Sequence, residues 1–280
     1  MNKTYGMMMQ KEKILVFIPM FNCEKQIPRV VSQFSREIQE FFNEIIIIDN
    51  RSDDKSIQAA ESALSNNIKI CKVSIFKNNE NYSLGGSIKV AFKYAIDNNF
   101  DYMVTLHGDA QGNIKDVIPV VKTGQHRNAD MCIGARFHRN STLDGYSWFR
   151  IFGNRVFNLI CSAITLRKID DLIAGLNIYS VKFIKEIYPV CLDFPDNLTF
   201  DVHCLMYMLK NKKNFTYFPL VWKEEDQVSN AKVFKQAFTI LKLFSKFVLN
   251  KNSLLEITEG DVQSHQCKEN YKSEVVYQQG

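Results

Sequence analysis

The chain has 280 residues, 46% of them hydrophobic and 23% charged, enough for one large α/β domain with its own core or for two small ones. A net charge of +5 is too weak and too dispersed to argue for nucleic acid, and leaves acidic small substrates or anionic lipid open. The seven cysteines form no C-x-x-C pair and several sit inside apolar runs, so they read as reduced core thiols of a cytosolic protein rather than disulfides or a zinc site.

The first eleven residues read as a flexible arm without a signal-peptide apolar region. Residues 13–19 form an apolar strand closed by Pro19. Residues 24–42 show helical spacing through Ile27, Val30, Val31, Phe34, Ile38 and Phe41. Residues 44–49 are a second strand, a run of isoleucines that suits burial on both faces of a parallel sheet. A helix over 53–65, a strand over 68–76, a helix over 86–98 and a strand over 101–106 continue the alternation. The fold class is therefore α/β, a doubly wound, mostly parallel sheet with helices on both faces.

Beyond residue 125 the alternation loosens. A fifth strand is expected over 131–135, a Phe-, Ile- and Leu-rich helix over 147–166, a short strand and further helix within 176–188 and 199–212, and a late strand over 217–222. Residues 232–250 are expected as an amphipathic helix, with Lys235, Lys242 and Lys246 on one arc and a wide arc of Phe, Ile and Leu opposite. Such a helix either packs on the domain's own core or lies in a membrane interface. Residues 251–280 are polar and aperiodic and read as a disordered tail. The chain contains no run of 18 apolar residues, so no membrane-spanning helix is expected.

The chemistry concentrates at strand ends. The strand ending Val104-Thr105-Leu106 runs into His107-Gly108-Asp109-Ala110-Gln111, which presents a carboxylate and an amide at the sheet's carboxyl edge. Hard cations such as Mg²⁺ or Mn²⁺ favour such oxygens and are often completed by substrate phosphates, so Asp109 and Gln111 are candidate metal ligands. The loops Pro19-Met20-Phe21-Asn22-Cys23-Glu24 and Asp49-Asn50-Arg51-Ser52-Asp53-Asp54 end the first two strands on that same rim. Phe21 can stack on a nucleobase and Asp49 can accept a base N–H; equally, Asn22, Ser52 and Asp53 can be plain helix caps. Asn81-Tyr82-Ser83-Leu84-Gly85-Gly86-Ser87 is either an anion-binding helix start or an ordinary turn. No P-loop and no nucleophile elbow is present.

Taken in order, Pro-x-Phe-Asn-x-Glu, Asp-x-x-Ser-x-Asp, Asn-x-x-Leu-Gly-x-Ser and Leu-x-x-Asp-x-Gln resemble the family 2 glycosyltransferases with the GT-A fold. The resemblance covers residues 12 to about 250 and is strongest to the dolichol-phosphate mannose synthase and polyprenyl-phosphate glycosyltransferase branch. It implies a GT-A domain over 12–231 and a nucleotide-sugar donor held by Pro19, Phe21, Asn22, Glu24, Asp49, Ser52, Asn81, Gly85 and His107. Lys232, in a Ser-Lys loop, would reach the diphosphate. The family's D-x-D-x-Q motif falls on His107, Asp109 and Gln111, with His107 replacing the first aspartate. Arg136, Arg150 and Asn154 stand where the branch holds an acceptor phosphate. Asp171 is expected to face the reaction centre, and Asp201 to position the acceptor.

The resemblance implies an inverting, Mg²⁺- or Mn²⁺-dependent transfer from a nucleotide-sugar to a polyprenyl-phosphate or glycan acceptor, in the cytoplasm or at the cytoplasmic face of a membrane, with 232–250 as the membrane contact. For a hydroxyl acceptor Asp171 is the first candidate base and Asp201 the second. The other readings are a non-catalytic nucleotide-sugar binder, prompted by His107, and a nucleotidyltransferase, disfavoured because Pro19-Met20-Phe21-Asn22 is not a Gly-rich phosphate loop.

Overall fold

A computed structural model describes residues 12–172, 174–224, 240–246 and 271–280. The isoleucine strand, β2 (Glu44–Asp49), is buried at every position. Its side chains alternate between two cores. Ile46 and Ile48 join Leu15 and Phe17 on one face of the sheet, while Ile45 and Ile47 join Val16 and Ile18 on the other. Each such side chain contributes roughly 1.5–3 kcal/mol on burial. β2 pairs in parallel with β1 (Ile14–Met20) and with β3 (Lys72–Asn78), and β1 pairs in parallel with β4 (Tyr102–Leu106). The carboxyl ends of β1, β2 and β4 therefore share one rim.

β7 (Leu176–Ser180) runs antiparallel between β4 and β5 (Met131–Ala135), and β8 (Phe215–Pro219) closes that side in parallel with β5. Among the described residues the sheet has eight strands, in the order β10 (Ser273–Gln279), β3, β2, β1, β4, β7, β5, β8. The doubly wound, mostly parallel α/β sheet read from the sequence is the one observed.

Three expectations need correction. Residues 24–42 are not one helix: α1 (Ile27–Ser32) and α2 (Arg36–Gln39) are separated by an extended Ser35. The buried Gln39 amide holds this break, donating to Phe34 O and Asn67 O and accepting from Lys69 N and Ile70 N. The late strand divides at Leu220, whose N–H turns to Ser141 Oγ. Its second piece, β9 (Val221–Lys223), pairs instead with β6 (Thr142–Asp144).

The third concerns the tail. Residues 273–279 are strand β10 (Ser273–Gln279), antiparallel on the edge of β3. Just before it, Tyr271 donates to Asp196, which also receives the buried Lys89 ammonium at 2.7 Å. Residues 251–270 lie outside the described residues.

α3 (Ser56–Asn67) packs beside α1 on one face of the sheet, and α4 (Ser83–Asp97) packs with α7 (Val181–Cys191) and α8 (Phe200–Lys210) on the other. In the last helix the described part, 240–246, turns Ile240, Leu243 and Phe244 into the core. The rest of the expected 232–250 helix lies outside the described residues.

Asp116, just before α5 (Val117–Lys122), accepts from Val221 N, and burial pushes its carboxyl up to about 6 from 3.8. The folded chain thus holds this proton more tightly than the unfolded chain. Its contribution to stability is complete at low pH and is lost as pH rises from about 4 through 6. Asp116→Asn, which keeps the acceptor oxygen, is expected to stabilise at pH 7 by about 1 kcal/mol after allowance for solvent screening. Thermal melts should show that gain at pH 7 and none at pH 4; a pH-independent difference would contradict the assignment.

Candidate active site

Two loops at the ends of β1 and β2 are zipped together by side chain to backbone bonds. Asn22 N donates to Ser52 Oγ at 2.9 Å and Asp53 N to Asn22 Oδ1 at 2.9 Å. Glu24 N donates to Asp54 and Lys55 N to Glu24. Asn22 and Arg51 take left-handed backbone at φ 51° and 66° to make these turns. Asn22, Ser52 and Glu24 thus brace the rim and do not cap the helices that follow. Phe21 stays 46% exposed above them, an aromatic face open to a flat ligand.

Asp49 is fully buried and accepts from Ser52 N. Its neighbour Asn50 is a hub that sequence reasoning missed. Asn50 Oδ1 accepts from Tyr82 N and Asn78 Nδ2, and Asn50 Nδ2 donates to Asn81 Oδ1. The only available signal was a second polar residue at the end of a buried strand.

Gly85 has a different neighbour from the one expected. It lies inside the first turn of α4, donates to Asp196 O, and a Cβ there would meet the 195–196 backbone at 2.8 Å. The glycine admits protein backbone, not a phosphate, so its expected donor contact is corrected. Asn81 remains on the rim through Asn50.

At the end of β4, Gly108 tucks under Pro19, its N–H donating to Pro19 O at 3.1 Å. Ala110 is left-handed at φ 63°, a conformation uncommon for residues other than glycine. That turn throws Asp109 outward while its Oδ1 accepts from Gln111 N. The Cys23 thiol behind the rim is pushed up to about 11, by burial first, then by the carboxylates of Asp109, Asp54 and Asp49. Three carboxylates therefore act on one small volume.

The donor atoms available beside that volume, the Asp109 carboxylate and the Gln111 amide, are hard oxygens suited to Mg²⁺ or Mn²⁺. Among the described residues no group of three His, Cys, Asp or Glu is placed to hold an ion unaided. The residues fit an ion whose remaining ligands are phosphate oxygens of a bound donor.

His107 packs its ring against Gly175, where a Cβ would lie 2.5 Å away, and its Nε2 is buried with no hydrogen-bond partner among the described residues. Beneath it Asp201 accepts from Tyr179 Oη at 2.9 Å. Burial raises the Asp201 carboxyl above its ordinary value, with His107 and the Tyr179 bond opposing.

Arg136 and Asp171 form a bidentate pair, Nε to Oδ2 at 2.8 Å and Nη2 to Oδ1 at 2.9 Å, and Arg136 N also donates to Asp171. Arg150 pairs with Glu224 through both terminal nitrogens, at 2.5 and 3.1 Å. Burial works against the Arg136 charge, but Asp171 first, then Tyr146 and Glu224, hold it firmly protonated. Because Glu224 acts on both guanidiniums, the two arginines belong to one cluster. Glu224 was not singled out in the sequence: it lies 74 residues beyond Arg150, with no local pattern to flag it. Asn154 donates back to Arg150 O from the next turn of α6 (Trp148–Thr165). Lys232 lies outside the described residues.

A model of the family described as "Glycosyl transferase family 2" matches residues 15–188. An uncharacterised protein of Methanocaldococcus jannaschii is 28% identical over 63% of this chain and 68% of its own length. An undecaprenyl-phosphate 4-deoxy-4-formamido-L-arabinose transferase of Photorhabdus laumondii is 29% identical over 61% of this chain, and the chain spans half of that protein's length. The dolichol-phosphate mannosyltransferase of Pyrococcus furiosus is 22% identical over 57% of this chain and 43% of its own. Among solved structures, glucosyl-3-phosphoglycerate synthase from Mycobacterium tuberculosis in complex with UDP superposes with a TM-score of 0.59 at 12% identity, covering 85% of this chain and 80% of that one. The shared architecture is the GT-A fold. With strand order, rim and family model in agreement, the chain is a glycosyltransferase and belongs to glycosyl transferase family 2.

Proposed function

We propose that this protein transfers a sugar, with inversion, from a nucleoside-diphosphate sugar to a polyprenyl phosphate at the cytoplasmic face of a membrane. The observation that carries the acceptor class is the Arg136–Arg150 cluster. Two planar guanidiniums of one cluster suit a phosphate dianion, which would compete with Asp171 and Glu224 for their forks. The two carboxylates available as bases are both engaged, Asp171 by Arg136 and Asp201 beneath Tyr179. A hydroxyl acceptor needs a free base, whereas a phosphate arrives ionised. The relatives named for undecaprenyl-phosphate and dolichol-phosphate transfer favour the same class.

In this reading Phe21 stacks on the donor base and Asp49 accepts from its edge, with Asn50 and Asn81 bracing that side. Asp109 and Gln111 would hold Mg²⁺ or Mn²⁺, which supplies positive charge to the departing nucleoside diphosphate. Neighbouring solved structures contain Mn²⁺ together with UDP-glucose. Lys232 is assigned to the diphosphate. Arg136, Arg150 and Asn154 hold the acceptor phosphate in line with the anomeric carbon of an oxocarbenium-like transition state.

The unpartnered His107 Nε2, where the family places a carboxylate, favours a second reading as a non-catalytic nucleotide-sugar binder. Thermal shift with nucleoside diphosphates and their sugars, with and without Mn²⁺, followed by a labelled-sugar transfer assay, separates the two. Ligand at a hundredfold its Kd is expected to stabilise by about 2.7 kcal/mol, on the order of 5–10 °C. A shift with Mn²⁺ and label in a lipid phosphate supports transfer. A shift without turnover supports the binder, and no shift rejects both.

A further inference from the structure

α6 is apolar on its outward side as well as on its inward one, where Phe157, Cys161 and Ile164 join the core. Its buried and half-buried side includes Asn154, Asn158, Ser162 and Thr165, spaced at helical intervals. Asn158 Nδ2 donates to Asp170 O at 2.7 Å, Ser162 Oγ accepts from Ile169 N, and Thr165 Oγ1 donates to Cys161 O. The side facing outward is Trp148, Phe149, Phe152, Val156, Leu159 and Ile160, with Trp148 76%, Phe152 61% and Leu159 70% exposed. Arg155 is the single charged residue on that face. A helix on a water-exposed surface normally keeps its outward side polar. So large a contiguous apolar patch marks a binding surface.

Charge selects the occupant. Arg150 and Lys168 are paired with Glu224 and Asp170, but Arg155 and Arg167 have no acidic partner among the described residues. Aromatic and aliphatic side chains with these two cations beside them fit the interface of an anionic bilayer. A protein partner would be expected to meet a rim of mixed charge. Among the described residues no helix is long and apolar enough to cross a membrane, so contact here would be peripheral.

We infer that the outward face of α6 docks the protein on an anionic lipid surface. Arg150 lies in the first turn of this same helix, so docking would bring the arginine cluster to headgroup level. That placement rests on the lipid-phosphate reading of the acceptor; the docking itself does not.

The test is flotation of the whole chain with vesicles of phosphatidylcholine and phosphatidylglycerol at seven to three, free of nucleotide sugar and polyprenyl phosphate, against pure phosphatidylcholine. The wild type is expected to float with the anionic vesicles and to shift its tryptophan emission to the blue. That shift reports Trp148, because Trp222 is already buried. The double variant Phe152→Glu/Leu159→Glu should lose about tenfold or more of the partitioning at an unchanged melting temperature. No flotation or emission shift by the wild type, or equal flotation by the variant, overturns the inference. So does a dimer that the variant dissolves, which would give the face to a second copy. A sharp loss of stability in the variant would give it to another segment of this chain. Transfer to a short, water-soluble prenyl phosphate separates the two claims. Vesicle binding without transfer leaves docking intact and removes the acceptor assignment; transfer without vesicle binding does the reverse.

Discussion

Asp109→Ala is expected to lower kcat/KM for sugar transfer by about a thousandfold, the scale seen when one preorganised charge contact to a departing oxyanion is removed. The melting temperature should move by no more than about 1 kcal/mol equivalent. The asymmetry follows from where the side chain stands. Asp109 projects from a left-handed turn at the rim, and its recorded bond is to Gln111 N two residues on. Folding therefore asks little of it, while the carboxylate next to Gln111 is lost. Steady-state kinetics at saturating Mn²⁺ and a thermal melt of the same preparation check both halves. Transfer within tenfold of wild type would remove Asp109 from the ion site.

Asp171→Ala should behave in the opposite way and be mainly a stability defect. The Asp171 side chain is 2% exposed and that of Arg136 17%. Deleting the carboxylate takes the bidentate partner from a largely buried guanidinium and removes the acceptor of Arg136 N. Breaking one partner out of a buried pair costs about 3–5 kcal/mol, or roughly 10 °C for a domain of this size. The double replacement Arg136→Met/Asp171→Leu removes both charges together and should recover most of that loss. It should still fail to transfer sugar, because the phosphate has lost one fork. Recovery of transfer along with stability would show that Arg136 serves packing alone. A melting temperature unchanged in Asp171→Ala would mean the pair is not formed in solution.

The legible parts of this molecule are those where one physical signal dominates locally. Glu44–Asp49 and Met131–Ala135 were bounded to the residue because burial on both faces leaves an unbroken apolar run. The rim positions of Asp49 and Asp109 followed from parallel strands ending on one edge. What stayed hidden depends on partners distant in sequence. Asp171 read as a residue at the reaction centre, yet its carboxylate is held by Arg136, 35 residues earlier. Asn22 and Ser52 read as either ligand contacts or helix caps, and the bond between them fastens one loop to another, a pairing 30 residues apart that no local pattern marks. The 147–166 helix was placed well by its apolar content, but content alone does not say which side faces out. β10 escaped because most of its residues are at least partly exposed, so no alternation marks it.

That last strand also sets the order in which the molecule can be completed. β3 is translated almost two hundred residues before Ser273, its antiparallel neighbour across Asn78. Until residues 273–279 leave the ribosome, β3 presents bare amide and carbonyl groups along a flat edge, an invitation to self-association. Lys89 and Asp196 meanwhile await the Tyr271 hydroxyl. β10 is therefore a late stopper for an early edge, and a chain cut between residues 224 and 273 would hold a sheet made but unsealed.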